Sequence, residues 1–435
     1  MKYGFQKMRW RVSNLRLHPL MLIFAEILII GIVGGLIIFI FHSGGISYFS
    51  YEEGYSLIAY VSIVYSSLII GGISYKVGLQ KKVISYAERE YVLPSTSILL
   101  LFWCVTFCFA FGCLIWIFVQ AGMKHPLLSA LGQDNVLHVA VLRSEILKKI
   151  DMRVYNLGLI FFQPLNLVIS MYLLRSIFLS FVSTSLLILL GTFTLAKAPI
   201  IYALIFVLIF RSLFFSLYLR AALKYLGIII LAVILLFIST KYVSFNTRSV
   251  VENIGSRILY GEVLELPYYF EVFSKDKLTF KSLMPPYIMG GQKSAARMVA
   301  EYRVEKTFSH FPLTNKEEKS YYARVAGVAN TFFTGEAFAW AGYAGVILSP
   351  FIVMAHLIFY IYLFGRIKKT WFTAYVFSFF LYKVFIGIFG GISYFILSSM
   401  HIVLVAFIIL LAVWHFLRKK NFSSFQKIDK MLCAL

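Results

Sequence analysis

The chain has 435 residues, of which 60% are hydrophobic and only 14% are charged. This composition excludes an ordinary soluble domain and is typical of a protein that crosses a membrane several times. The 41 Lys and Arg residues outnumber the 19 Asp and Glu residues. Because these basic residues are scattered over short connections, they indicate cytoplasmic loops that set the orientation, and they do not indicate nucleic-acid binding.

Apolar runs long enough to cross a bilayer, ~20 residues each, occur about ten times along the chain. In chain order, spans are predicted at residues 20–41, 56–75, 95–120, 154–174, 176–195, 200–219, 225–240, 337–364, 371–389 and 392–417. The first span follows a basic segment that resembles the start of a signal peptide. Its apolar run is too long for one and lacks a small-x-small cleavage site, so this span is predicted to be retained.

The predicted spans divide the chain into four parts. Residues 1–241 form an N-terminal bundle of about seven spans, residues 242–335 a large loop, residues 336–417 three further spans, and residues 418–435 a tail. With the N-terminus inside, the short connections on that side carry most of the basic residues, and long loops are exempt from this rule. The sequence therefore predicts an all-α polytopic membrane protein with both termini cytoplasmic and the large loop outside.

The large loop mixes basic, acidic and aromatic residues between two almost purely apolar regions. Apolar residues recur at helical spacing over residues 247–273, and a second helix is predicted over residues 294–306. Pro267 is expected to break or kink the first of these helices. The second helix places Arg297 and Glu301 one turn apart on the same face, where they can pair.

Seven basic residues are candidates for binding an anionic group. They are Arg143, Lys197, Arg248, Arg257, Arg297, Arg303 and Arg324. Several guanidinium groups together suit a diphosphate, since each can pair two phosphate oxygens at a time. Lys197 lies between two spans at the predicted outer edge, and Arg143 lies in a predicted interfacial helix over residues 135–145. For each residue the alternative is an ion pair with a nearby glutamate or snorkelling to lipid headgroups.

Other chemistry is sparse in this sequence. It contains no pair of aspartates suited to a metal–nucleotide site, no Walker loop and no Gly-x-Ser-x-Gly elbow. His310 is a candidate general base, with a solvated loop histidine as the alternative because nothing in the sequence fixes its second nitrogen. Neither a metal site nor another cofactor is predicted.

Residues 335–348 close the large loop and open the next span with Gly-Glu-Ala-Phe-Ala-Trp-Ala-Gly-Tyr-Ala-Gly-Val-Ile-Leu. This segment resembles one in bacterial O-antigen polymerases and related oligosaccharide repeat-unit polymerases of the Wzy type. Residues 191–199 resemble the segment of these polymerases in which a basic residue precedes the sixth span. That residue is often Arg, whereas here it is Lys197, which acts as a point charge and not as a bidentate fork. The predicted architecture also matches this family, which has ten or more spans and one large periplasmic loop before the last few spans.

The resemblance implies an inner-membrane glycosyltransferase with a GT-C-like fold. Such enzymes transfer a growing glycan from undecaprenyl diphosphate to a new lipid-linked repeat unit, with no metal or nucleotide sugar. The implied partners are undecaprenyl-diphosphate-linked oligosaccharide and the lipid bilayer, and a chain-length regulator protein is a usual partner in this family. Basic residues would stabilise the charge that develops on the departing lipid diphosphate.

Glu336, Glu301 and His310 are the candidates for a base that activates the acceptor hydroxyl. Glu336 has the alternative role of pairing with a loop arginine and holding the loop on the membrane domain. Other functions stay open, namely an O-antigen ligase, a flippase or transporter of lipid-linked oligosaccharide, and a scaffold whose loop binds a protein. A transporter would carry charges along several spans, whereas the charges here cluster at the predicted outer ends.

Overall fold

The computed structural model describes residues 16–41, 51–91, 93–126, 142, 145–194, 198–215, 217–218, 263–275, 295–307 and 331–396. These residues form packed helices and one short antiparallel pairing, in which β1 (Arg16–Leu17) lies beside β2 (Leu217–Tyr218). The predicted seventh span and most of the tenth lie outside the described residues, as does much of the large loop.

Within the described residues, six helices are long and apolar enough to cross a membrane. They are α1 (Pro19–Phe41), α2 (Glu53–Val77), α4 (Thr96–Gln120), α5 (Met152–Leu173), α10 (Phe333–Arg366) and α11 (Trp371–Gly390). The other helices are α3 (Leu79–Glu88), α6 (Ile177–Thr192), α7 (Ala198–Phe214), α8 (Leu266–Lys275), α9 (Ala295–Thr307) and α12 (Ser393–Ile396). The chain is therefore a helical polytopic membrane protein, and α6 and α7 are apolar but shorter than the spans predicted there.

Local signals set the ends of these helices. Pro19 occupies the first turn of α1, where the missing backbone N–H would have had no helical partner. Gly78 ends α2 in a left-handed conformation, with φ of 66°, and turns the chain into α3. The Thr370 hydroxyl accepts a 3.1 Å hydrogen bond from the Thr373 backbone N–H and begins α11. The six long spans begin and end within four residues of their predicted boundaries.

The alternating direction of the spans sorts the connections into two sets. One end of the bundle, which we call the strand end, carries β1, β2 and the connections α2–α3–α4, α5–α6 and α10–α11. The opposite end, the loop end, carries the connections α1–α2, α4–α5, α6–α7 and α11–α12. Helices α8 and α9 of the large loop lie at the loop end, because α8 packs against the first part of α2 and of α10.

Two basic side chains hold the strand end together. The buried Lys369 ammonium donates hydrogen bonds to the carbonyls of Ala87 (2.6 Å), Phe214 (3.0 Å) and Arg89 (3.2 Å). Arg89 in turn donates a 3.0 Å bond to the carbonyl of Ile367, just after α10. These bonds supply partners for carbonyls at the C-terminal ends of three helices, which have no partner within the helix itself.

The prediction of one continuous helix over residues 247–273 is wrong at residues 263–265 and confirmed over residues 266–273. Residues 263–265 form a turn, and α8 begins at Leu266 with Pro267 in its first turn. Pro267 therefore opens a helix instead of kinking one, since a proline in the first turn removes no helical hydrogen bond. Residues 247–262 lie outside the described part of the chain. The second predicted loop helix is confirmed as α9.

Candidate functional site

The loop end is built around α8, which packs against α2, α9 and α10. The aromatic side chains of residues 268–270 and of Phe273 are all buried there. Just before α2, the Tyr51 hydroxyl donates a hydrogen bond to the Leu264 carbonyl, and its ring lies 4.9 Å from that of Tyr268. Aromatic packing therefore holds the amphipathic helix α8 against the spans.

One ion pair joins the start of α8 to α9. An Arg303 Nη1 hydrogen donates to a carboxylate oxygen of Glu265, and the two side chains are only 14% and 6% exposed. Burial lowers the pKa of Arg303, but an arginine of a protein stays protonated because its starting pKa is so high. A buried pair of this kind is costly to break, because the remaining charge is left without its partner.

A second cluster of charged and polar side chains joins α8 and α9, about one turn after Arg303 on α9. The Lys306 ammonium lies 2.9 and 3.0 Å from the two carboxylate oxygens of Glu271, and the Tyr302 hydroxyl donates to the same carboxylate. The pKa of Tyr302 is raised by burial first and by this carboxylate second. The Lys306 ammonium also lies 5.4 Å from the centre of the Tyr268 ring. Helices α8 and α9 are therefore held by two separate charged contacts.

Helix α9 also carries an ion pair of its own. Arg297 Nε lies 3.1 Å from a carboxylate oxygen of Glu301, four residues later, and both side chains are partly exposed. This confirms the pairing predicted from their spacing. Glu301, a candidate base, is thus the carboxylate partner of Arg297. Exposed pairs of this kind contribute little to stability, about 0.3–0.5 kcal/mol on a helix.

The structure brings four of the ten predicted site residues to the loop end. Arg297, Glu301 and Arg303 lie on α9, and Glu336 lies on α10, which α9 contacts. The other six lie outside the described residues, and they are Arg143, Lys197, Arg248, Arg257, His310 and Arg324. For Arg297 and Arg303 the structure shows an acidic partner, as the alternative interpretation of each arginine expects.

Glu336 lies in the first turn of α10, where its carboxylate meets the chain between α11 and α12. Its Oε2 accepts a 2.8 Å hydrogen bond from the Ser393 backbone N–H. A Cβ atom on Gly391 would lie 2.2 Å from that oxygen, so only glycine leaves room for the carboxylate. Burial raises the pKa of Tyr269 on α8, and the Glu336 carboxylate raises it further. The observed partner is therefore a backbone amide, where a loop arginine was expected.

Helix α10 bends within the segment of residues 335–348. Gly342 has φ of 61° and ψ of −145°, which interrupts the helix and divides it into two parts. Residues with a side chain rarely adopt this conformation, so glycine suits the position. The Tyr65 hydroxyl of α2 donates a 3.2 Å hydrogen bond to the Ile347 carbonyl, just beyond the bend. The segment that carries the family resemblance thus contains an interruption of a span.

A buried polar network between α4, α5 and α6 was missed in the sequence. The Trp103 indole N–H donates to the Ser183 hydroxyl (3.0 Å), and the Asn166 amide donates to the Trp103 carbonyl (3.2 Å) and the Thr106 hydroxyl (3.3 Å). Ser183 donates to Asn166, and Gln163 donates to the Ser183 carbonyl. Polar side chains link spans in this way because lipid offers them no other partner. The sequence signal for this network was a pair of amide side chains, Gln163 and Asn166, three positions apart in an apolar helix.

Among the residues that the structure describes, no group of three or more His, Cys, Asp or Glu side chains is arranged to hold a metal ion. Comparison of the chain with protein-family models, with curated proteins and with solved structures found no match in any of the three sets. The family suggested by residues 335–348 therefore stays a prediction.

Proposed function

We propose that this chain is a membrane glycosyltransferase that polymerises undecaprenyl-diphosphate-linked oligosaccharide repeat units at the periplasmic face of the bacterial inner membrane. The product would be O-antigen, or a capsule or exopolysaccharide. The observation that carries this proposal is the segment of residues 335–348, where the family resemblance coincides with a bend in a span. This bend lies beside the polar helices α8 and α9, at the end of the bundle where a lipid-linked glycan would be presented.

The reaction requires one bond to form and one to break at the anomeric carbon of the growing chain. The acceptor hydroxyl oxygen bonds to that carbon, the hydroxyl proton passes to a base, and the bond to the lipid diphosphate breaks. The leaving diphosphate gains charge, which guanidinium and ammonium groups stabilise in a site that excludes water. This demand matches the basic residues of the loop, from Arg248 to Arg324, together with Arg143 and Lys197.

The ion pairs of α9 support a role in positioning. Arg297 and Arg303 each have a carboxylate neighbour that limits the rotation of the guanidinium. Binding sites work best when their charged groups are held in place before the substrate arrives. In this proposal Arg303 is a deep, fixed charge, and Arg297 is a partly exposed charge that the diphosphate approaches from solvent.

Glu336 is assigned a positioning role, because its carboxylate is engaged by the Ser393 backbone N–H. It would hold the turn between α11 and α12 against the bent part of α10. Glu301 and His310 then stay as the candidate bases for the acceptor hydroxyl. In this arrangement the loop end is periplasmic, the strand end and both termini are cytoplasmic, and a chain-length regulator would associate with the complex in the membrane.

The decisive experiment is deletion of this gene in its host, followed by electrophoresis of the surface polysaccharide. Loss of the ladder, with a core that bears a single repeat unit, is the result expected for a polymerase. Loss of every glycan-bearing form of the core would instead indicate a ligase or a flippase. An unchanged pattern would contradict the proposal for this polysaccharide, and capsule and exopolysaccharide would be measured in the same strain.

Complementation of the deletion strain then tests the basic residues. Lys197→Ala and Arg257→Ala are each expected to abolish polymerisation while the protein still accumulates in the membrane. Arg303→Ala is expected to abolish it with lower accumulation, because the buried Glu265 carboxylate loses the Arg303 guanidinium. Arg366→Ala is the matched control, because Arg366 is an exposed basic residue at the opposite end of the bundle. Full activity in all three variants would exclude the proposed diphosphate site.

A further inference from the structure

A cavity of about 530 Å³ lies at the strand end, where α5, α6 and α7 meet. Its polar and aromatic lining consists of Tyr172, Arg175, Ser176, Ser180, Arg211 and Phe215. Among the described residues that line this cavity, none is acidic. The cavity lies at the opposite end of the bundle from α8, α9 and Glu336, so it does not belong to the proposed glycan site.

Two guanidinium groups are held against neighbouring rings in this cavity. The Arg211 guanidinium carbon lies 5.0 Å from the centre of the Tyr172 ring. The Arg175 guanidinium carbon lies 5.9 Å from the centre of the Phe215 ring. The two rings lie 6.0 Å apart, so both guanidinium groups border the same space. Stacking on aromatic faces holds a cation in place, and a guanidinium group can donate hydrogen bonds to oxygen atoms.

The backbone at this site adds to the positive field. Arg175 has φ of 53°, a left-handed conformation in the tight turn between α5 and α6. Immediately after the turn, Ser176 caps the N-terminus of α6 by accepting a hydrogen bond from Leu179 N–H. A helix N-terminus carries partial positive charge and favours a nearby anion. An anion in the cavity would therefore face two guanidinium groups and one helix N-terminus.

An apolar surface leads away from the cavity along α6. Ile177, which lines the cavity, is 90% exposed, and Phe178 and Phe181 are 71% and 70% exposed. In a helix this apolar, large exposed side chains are the ones that contact lipid chains. Two guanidinium groups and a helix N-terminus thus lie next to an exposed apolar surface, a combination that suits the charged head and the apolar chains of an amphiphile.

We propose that this cavity binds the phosphate headgroup of an anionic phospholipid, with the acyl chains lying against Ile177, Phe178 and Phe181. Basic pockets between spans at one membrane face suit such headgroups, whose phosphate oxygens pair with arginine. The bound lipid would join α5, α6 and α7 at the strand end. The site is independent of the proposed glycan chemistry, so either proposal can fail without the other.

The test uses the purified full-length chain in a neutral detergent. Its melting temperature is measured while dioleoyl phosphatidylglycerol, dioleoyl phosphatidylcholine or soluble glycerol phosphate is added. The expected result is a saturable rise with phosphatidylglycerol, and a much smaller response to the other two. Phosphatidylcholine controls for the acyl chains, and glycerol phosphate controls for the phosphate alone. Equal rises with both lipids, or an equal rise with glycerol phosphate, would overturn the assignment to an anionic lipid.

Variants then locate the binding site. Arg175→Asn is the first choice, because the side chain is exposed and asparagine tolerates the left-handed backbone of this turn. We expect its apparent affinity for phosphatidylglycerol to be about fivefold weaker, as for the loss of one basic residue near an anionic headgroup. Arg211→Gln should have a similar effect, whereas Lys76→Gln, which removes an exposed charge at the same end, should have none. If Arg175→Asn and Arg211→Gln bound phosphatidylglycerol with wild-type affinity, the lipid would have to bind outside this cavity.

Discussion

Glu336 and Ser393 are separated by 57 positions in the chain, yet the Ser393 backbone N–H donates a 2.8 Å hydrogen bond to the Glu336 carboxylate. This bond ties the first turn of α10 to the start of α12. Gly391 lies so close to the same carboxylate that a Cβ atom would not fit between them. The position of Glu336 is thus set by the first turn of α10 and by the turn between α11 and α12, and a change in either segment should disturb the other.

Replacement of Glu336 separates a positioning role from a catalytic one. Glu336→Gln keeps a side-chain oxygen that accepts the Ser393 hydrogen bond, so it should retain most of the polymerising activity. Glu336→Ala loses the acceptor and should lower both the activity and the melting temperature. The measurements are the polysaccharide ladder in complemented cells and the thermal unfolding of the purified variants.

A matched variant perturbs the same contact from the other side. Gly391→Ala leaves the carboxylate intact but crowds it, and should therefore resemble Glu336→Ala. If Glu336→Gln were inactive with an unchanged melting temperature, Glu336 would have to act in proton transfer, and the positioning role would be wrong.

Arg303 and Glu265 are expected to depend on each other for stability. Arg303→Met or Glu265→Leu alone leaves a buried charge without its partner and should cost about 3–5 kcal/mol of unfolding free energy. The double variant should lose less than the sum of the single losses, because neither charge remains. Denaturant unfolding of the four proteins measures this coupling. The partly exposed Arg297 and Glu301 pair is the control, with an expected coupling below about 1 kcal/mol.

The same double variant tests whether Arg303 contacts the substrate. If the Arg303→Met, Glu265→Leu protein folds but does not polymerise, the guanidinium is needed for function beyond the ion pair. If this protein polymerises normally, Arg303 is structural and leaves the set of diphosphate-binding residues.

Lys369 should make stability depend on pH in the alkaline range. Burial, with a smaller effect of nearby Arg89, lowers the pKa of Lys369 from 10.5 to about 8. Between these two values the unfolded chain still holds a proton that the folded chain has released, so the folded state gains relative stability as the pH rises. The wild-type melting temperature should therefore rise relative to that of Lys369→Met from pH 8 to 10.5. Below that window, the difference between the two proteins should be constant.

The control for this prediction is Lys368→Met, which removes the neighbouring lysine, an exposed one. Its melting temperature should follow that of the wild type throughout the pH range. Parallel curves for the wild type and Lys369→Met would show that Lys369 does not lose its proton in this window. Below pH 8, where the Lys369 ammonium keeps its three hydrogens, Lys369→Met should melt lower than the wild type, because three carbonyls lose their common donor.

The polar network within the spans should stabilise the packing of α4, α5 and α6. Asn166→Ala removes two donated hydrogen bonds and one accepted hydrogen bond among buried partners and should cost about 1 kcal/mol, as is typical of hydrogen bonds between membrane helices. Asn156→Ala, an exposed change on the same helix, should have little effect. Equal unfolding free energies for the two variants would show that the network contributes no stability.

Much of the fold follows from local properties of the chain. Spans α1, α2, α4, α5, α10 and α11 were predicted because length and apolarity are properties of a continuous segment. The pair of Arg297 and Glu301 was predicted for a similar reason, since their spacing fixes their distance on a helix. Pro267 was misread because a proline can end or open a helix, and the choice here depends on how α8 packs.

By itself, the sequence determined that this is a helical membrane protein, because the length and apolarity of a span are properties of one stretch of chain. Only the tertiary structure decided which charges meet. Glu265 reaches Arg303, and Glu336 reaches Ser393, because α8, α10 and α12 pack at one end of the bundle. The cavity between Arg175 and Arg211 exists for the same physical reason. Contacts between distant segments depend on packing, which no local pattern of residues specifies.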